Sequence, residues 1–167
     1  MKHRLVYVFT LIIAIMLSAC GFHLRGSGNQ ANLPFKTIYI SVAESSLLGN
    51  ELKRYIGSSG GTTVATDPKA AEATLEILSE SRDKTVLSLN SQGRVREYAL
   101  YSKVTFLVKD KEGNSLLPPT EVAIRRTLSF NESQVLAKEN EEAMLYRDMQ
   151  TDVVQQILRR VSAIKPL

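Results

Sequence analysis

The chain has 167 residues, 44% hydrophobic and 23% charged, with 9 Gly and 5 Pro, a composition that excludes a disordered chain and fits one globular domain. A formal net charge of +4 without any tryptophan excludes a general nucleic-acid platform, since no basic cluster is interleaved with aromatic rings. One cysteine excludes an internal disulfide framework, so the fold must stand on its hydrophobic core.

Residues 1–4 carry Lys2, His3 and Arg4, and residues 5–17 form an apolar run broken only by Tyr7, Thr10 and Ala14. A basic start, a short apolar stretch and small residues before a cut site describe a secretory signal. The run is shorter than the ~20 residues of a comfortable membrane span. Leu17-Ser18-Ala19-Cys20 resembles the lipobox of bacterial lipoprotein signals. That resemblance implies cleavage before Cys20, with S-diacylglycerol on its thiol and an acyl chain on its new amino terminus; the other readings are an uncleaved anchor, a buried thiol or an intermolecular disulfide. Two or more acyl chains give stable anchoring where one is marginal. Gly21 follows the cysteine where an Asp would, by analogy with enterobacterial sorting, imply the inner membrane, so the expected location is the outer membrane, facing the periplasm. Without residues 1–19 the chain keeps 148 residues, with 19 Lys+Arg against 17 Asp+Glu, a net charge of about +2. Electrostatic function must then come from a local patch.

Residues 20–33 are poor in apolar periodicity and contain Gly26, Gly28, Asn29 and Asn32, which reads as a tether ahead of a single domain at 34–167. Ile38, Ile40 and Val42 alternate in a first strand over 35–43. Ser45 or Ser46 caps a helix carrying Leu48, Leu52, Tyr55 and Ile56, which the glycine-rich run 57–61 ends. The next strand is expected over 73–89, with a polar middle at 79–84 that projects beyond the core or forms the solvated part of a long ribbon. Asn90-Ser91-Gln92-Gly93 is a hairpin turn. In 95–109, Tyr98, Leu100, Ser102, Val104, Phe106 and Val108 share one face. Pro118-Pro119 marks the approach to a last strand over 120–130, where Val122, Ile124, Leu128 and Phe130 share a face interrupted by Arg126. Asn131 and Gln134 have capping-box spacing ahead of a helix striped by Leu145, Met149, Val153, Ile157, Val161 and Ile164, stopped by Pro166. The expected fold class is α+β, in the order β-α-β-β-β-α: a two-layer sandwich of one four-stranded, mostly antiparallel mixed sheet with both helices on one face.

Catalytic chemistry finds few carriers. After cleavage the one imidazole is His23, on the tether, so neither a nucleophilic triad nor a zinc set can be assembled. The 57–61 glycines lack the lysine and spacing of a phosphate loop. The expectation is a binding module, with no enzyme activity, cofactor or metal. Candidate ligand residues are Arg94 and Arg96, two apart after the turn and so expected on one face, and Lys138 near the start of the last helix. If 79–84 pairs with 94–96, Arg82 and Lys84 join them in a cationic end suited to phosphate. The alternative is that all are solvated charges, neutralised by Glu80, Asp83 and Glu97.

Cys20-Gly21-Phe22-His23-Leu24-Arg25-Gly26, Glu97-Tyr98 after the turn, and Leu136-Ala137-Lys138-Glu139-Asn140-Glu141 ahead of Met144 and Met149 resemble, in order along nearly the whole chain, landmarks of the LPS-assembly lipoprotein family LptE. The resemblance implies a non-enzymatic subunit of the outer-membrane lipopolysaccharide translocon. It would sit in the lumen of the β-barrel partner LptD as a plug, assist the barrel's assembly and contact lipopolysaccharide. The ligand region implied by the resemblance is the 90–96 hairpin with Lys138; Ser91 stands where a basic residue is expected, and Arg94 or Arg96 takes that role. The alternative function is a free-standing, periplasm-facing lipoprotein with a structural or envelope-adhesion role.

Overall fold

The structure, a computed structural model, describes residues 33–165. The signal segment, Cys20, His23 and Pro166 lie outside them. The elements run β1 (Thr37–Ser41), α1 (Leu47–Ser58), β2 (Thr63–Val64), a 3-10 turn (Pro68–Ala70), β3 (Ala73–Leu89), β4 (Val95–Asp110), β5 (Ser115–Ser129), a second 3-10 turn (Glu132–Gln134) and α2 (Val135–Ser162). They form one mixed sheet of order β2-β1-β3-β4-β5. β1 is parallel to both β2 and β3, and β3-β4-β5 are antiparallel.

The α+β class with both helices on one face of a mixed sheet holds, but the sheet has five strands and not four. The missed strand, β2, has two residues, too few to display a period of two. Backbone bonds hold it, Thr63 N to Lys36 O at 2.8 Å and Ala65 N to Ile38 O at 2.8 Å. The buried Thr62 adds a hydroxyl bond to Phe35 O at 2.8 Å.

α1 starts where Ser46 accepts from the Gly49 amide at 3.1 Å, satisfying one of the helix's free donors. Its Leu48, Leu52 and Ile56 stripe is at most 1% exposed. β4 alternates as its sequence does: Leu100, Ser102, Val104, Phe106 and Val108 are buried against the helices. Leu33, at the expected edge of the tether, is buried in the same core as Ile38, Leu75, Phe106, Met149 and Ile157.

Two departures have local causes. β5 begins five residues earlier than expected and runs through Pro118-Pro119. Phe106 faces Thr120 while Val108 faces Leu117, so the prolines occupy a bulge. β5 is an edge strand, where a missing N–H removes no ladder bond. The capping box at 131–134 does not form. Asn131 accepts from the Ser133 amide at 3.1 Å and caps the 3-10 turn, and Gln134 makes no side-chain cap.

β3 sets up everything beyond the core. Ile77 pairs Phe106 but Ser79 pairs Thr105, so Leu78 is an extra residue. A single extra residue inverts the alternation. Ala73, Leu75 and Ile77 face the helices before it; Glu80, Arg82, Lys84 and Val86 face that side after it, opposite Val104, Ser102, Leu100 and Tyr98. The polar middle therefore forms a solvated ribbon, turned toward α2.

Candidate functional site

The far end of the ribbon gathers the β3–β4 turn, the end of β5 and the start of α2. In the turn, Asn90 Oδ1 accepts from the amides of Gln92 at 2.9 Å and Arg94 at 3.0 Å. Gly93 takes φ +75°, a conformation that a side chain would strain. Arg94 donates to Glu132 Oε2 at 3.0 Å, with both side chains more than half exposed. Arg96 sits at a register shift; its carbonyl accepts from Phe130 N at 2.8 Å. Its side chain is exposed and makes no ion pair among the described residues. Lys138 donates to Ser129 Oγ at 2.9 Å and Glu141 Oε2 at 2.8 Å, and its side chain is only 15% exposed.

Arg94, Arg96 and Lys138 thus come to one end of the molecule. The expected pairing of 79–84 with 94–96 does not occur. Ser79 to Lys84 face Thr105 to Leu100, which leaves Lys84 five strand residues, ~17 Å, from Leu89 at the turn. Nor does a spacing of two place Arg94 and Arg96 on one face, because the strand begins only at Val95.

Lys84 and Arg82 are instead tied to α2. Lys84 Nζ lies 2.5 Å from Glu142 Oε2 and 4.3 Å from the centre of the Tyr98 ring, and Tyr98 meets Phe130 edge to face at 5.3 Å. Arg82 bonds Gln150 Oε1 at 2.7 Å and stacks over Tyr146 at 5.5 Å. Burial, and then the Glu142 carboxylate, push the Tyr146 hydroxyl above its ordinary pKa; it donates to Asp83 O at 3.2 Å.

What sequence reasoning missed at this end is its apolar content. Val86, Leu89, Val135 and Leu136 are 53%, 56%, 42% and 77% exposed. Singly such residues are ordinary; together beside two arginines they make an amphipathic surface. Among the described residues no group of three or more His, Cys, Asp or Glu side chains could hold a metal ion, and no helix is long and apolar enough to cross a membrane.

A family model described as lipopolysaccharide-assembly, LptE, matches residues 35–161, from the start of β1 to the last turn of α2. The chain belongs to the LptE family. It is 27% identical over 173 aligned residues to the LPS-assembly lipoprotein LptE of Pectobacterium atrosepticum, with 98% of this chain and 88% of that protein covered. It is 25% identical to the LptE of Yersinia enterocolitica, covering 98% of this chain and 78% of that one. Among solved structures, a lipoprotein B from Nitrosomonas europaea shares 40% identity at a TM-score of 0.74, covering 86% of this chain and 91% of that one. A minor lipoprotein from Acinetobacter baumannii shares 26% identity at a TM-score of 0.62, covering 77% and 91%. The LptE match spans both the apolar base and the ribbon end, so the whole described architecture is that of the family.

Proposed function

We propose that this chain is the lipid-anchored subunit of an outer-membrane lipopolysaccharide translocon. In this reading residues 1–19 are removed, Cys20 carries the lipid, and the residues from 20 up to the buried Leu33 let the domain stand off the bilayer. The domain sits within the lumen of the LptD β-barrel, assists its assembly, plugs it and contacts lipopolysaccharide bound for the outer leaflet. It works by binding, without catalysis, cofactor or metal.

The observation that carries the reading is the LptE match over residues 35–161. The chemistry is compatible with it. A domain enclosed by a barrel meets a polar wall, so charged strand faces are no penalty. Lipopolysaccharide combines phosphates with acyl chains, and the ribbon end offers Arg94 and Arg96 beside Val86, Leu89 and Leu136. Arg94 can exchange Glu132 for a phosphate because both side chains are solvated, where such a pair is worth at most ~1 kcal/mol. Lys138 would serve through its charge and by holding Ser129, its ammonium already having two partners.

The test is purification of the full-length protein from its native host's membranes in mild detergent. A stoichiometric β-barrel partner is expected, together with a Cys20-dependent mass increase from acylation. A lone monomer would favour the free-standing lipoprotein instead. The ligand surface is tested separately by Arg94→Gln/Arg96→Gln, which should weaken lipopolysaccharide binding about tenfold or more while the melting temperature holds. Unchanged binding would remove the site and leave the plug standing.

A further inference from the structure

We propose that the groove between α1 and the middle of α2, remote from the hairpin turn, is a second anion site built to hold a phosphate group. It goes beyond the ligand contact at the ribbon end and does not depend on it. The groove, about 510 Å³ and open to solvent, is lined by Leu47, Asn50, Glu51 and Arg54 of α1, by Arg147, Gln150 and Thr151 of α2, and by Arg82 of β3. The spacing on each helix, i, i+3, i+4, i+7 and i, i+3, i+4, keeps these side chains on one face. Arg82 lies there because the extra residue at Leu78 turns it to the helix side of β3.

The polar side chains are organised around one guanidinium. Glu51, whose side chain is 11% exposed, accepts from Gln150 Nε2 at 2.7 Å and Thr151 Oγ1 at 2.9 Å. That fixes the Gln150 amide with its oxygen toward Arg82 Nη2, at 2.7 Å. Arg82 is then held from one side and by the Tyr146 ring; Glu80 stands 3.8 Å from the same Nη2. Its Nε and Nη1 make no hydrogen bond among the described residues. Glu51 has both oxygens engaged and reaches Arg54 only at 3.6 Å, that arginine being 72% exposed. Arg147 bonds only the Ala143 carbonyl of its own helix, at 3.3 Å, and no ion pair is formed by it among the described residues.

The contrast with neighbouring cations decides the reading. Elsewhere on the helix side the inward cations have a close anionic or carbonyl partner: Lys84 has Glu142, Arg126 has Asp152, and Arg160 donates to the Glu121 carbonyl at 2.6 Å. Around the groove three guanidiniums stand with only long carboxylate contacts, Arg82 to Glu80 at 3.8 Å and Arg54 to Glu51 at 3.6 Å, and Arg147 forms no ion pair among the described residues. Arginine forks match phosphate oxygens in pairs, and a concave site collects several forks on one group.

The experiment titrates the full-length lipoprotein in detergent micelles with inorganic pyrophosphate, following the arginine side-chain NMR signals. Saturable shifts of Arg82 and Arg147 are expected. Arg54→Gln/Arg147→Gln, on exposed helix surface, should weaken binding about tenfold or more with an unchanged melting temperature, whereas Arg94→Gln should leave it intact. Displacement of pyrophosphate by phosphorylated lipid A, but not by its dephosphorylated form, would assign the site to a lipid headgroup; retention of pyrophosphate would assign it to a soluble phosphate. No saturable shift, shifts confined to Arg94 and Arg96, or equal binding by the double variant overturns the proposal. So does loss of the barrel partner by a double variant whose parent never bound pyrophosphate, since the occupant is then an acidic protein side chain. Each of these leaves the co-purification test of the translocon reading unaffected.

Discussion

The two ends of this molecule are stabilised by different physics. At the base, β1, the first turn of β3, α1 and the second half of α2 enclose Ile38, Leu52, Leu75, Phe106, Met149 and Ile157, all fully buried. At the ribbon end, β3 from Ser79 to Leu89 has no buried residue, and the first half of α2, up to Met149, has none either. That half is joined to the ribbon by Lys84–Glu142 and Tyr146–Asp83, and Arg82 reaches Gln150 just beyond it. The base holds the fold, and the ribbon end is free to spend its side chains on a partner. Regions that must bind are drawn from the weakly packed part of a structure.

The largest test of this division is Phe106→Ala. Phe106 is 0% exposed, and a buried phenylalanine truncated to alanine costs about 3–5 kcal/mol. Thermal or denaturant unfolding should show that loss in the whole domain. Gly49→Ala probes the same base from the other direction. A Cβ there would stand 2.3 Å from Val42 Cγ1, an overpacking of about 1–3 kcal/mol set against ~1 kcal/mol of gained helix propensity. In a Val42→Ala background the same change should become stabilising, and a double-mutant cycle reads the reversal.

At the ribbon end Lys84→Met should cost no more than about 1 kcal/mol globally, since the ion pair it breaks is partly solvated. Hydrogen exchange should nevertheless accelerate selectively in 80–89 and 136–146. Uniform acceleration across the base would mean that the two ends are one cooperative unit.

Asp110 gives the smallest and most local effect. It closes the β4–β5 hairpin by accepting from Asn114 N at 2.7 Å and Asn114 Nδ2 at 2.8 Å. The Asn114 amide chiefly holds its carboxyl below the ordinary value of 3.8. A lowered folded-state pKa contributes stability above the unfolded value and loses it as pH falls through the folded one. Asp110→Asn should therefore be less stable than the parent at neutral pH, and the gap should close only below pH ~4. A gap independent of pH would show that the carboxylate charge contributes nothing.

The same contrast governs how much of the molecule its sequence discloses. The base is legible because Leu100 to Val108 and the stripe from Met149 to Val161 repeat at the periods that burial imposes. β2 is not, being two residues held by backbone bonds. The ribbon is legible as solvated but not in its facing, since one extra residue at Leu78 reverses the side chains from Ser79 to Val86 and a second shift between Val86 and Ser88 reverses them again. Arg82 and Lys84 were expected beside Arg94 and Arg96 because the length of the hairpin, which pairs 79–84 with 105–100, has no local signal, and the groove between the helices left no trace in the sequence. Its residues come from three segments and share no motif. Arg94, Arg96 and Lys138 were singled out from the residues alone, with solvated charge as the alternative, and the resemblance pointed to the same hairpin and lysine; what the residues hid was the apolar surface beside them.

In the proposed function the ribbon end meets lipopolysaccharide inside a barrel while the base holds it there. Photo-crosslinking from position 92, at the hairpin turn, in intact cells of the native host tests it most directly, with position 66, in the loop after β2, as the comparison. Lipopolysaccharide adducts are expected from position 92 and none from position 66. Adducts from position 66 alone, or a position-92 probe that captures neither lipopolysaccharide nor a β-barrel, would contradict it.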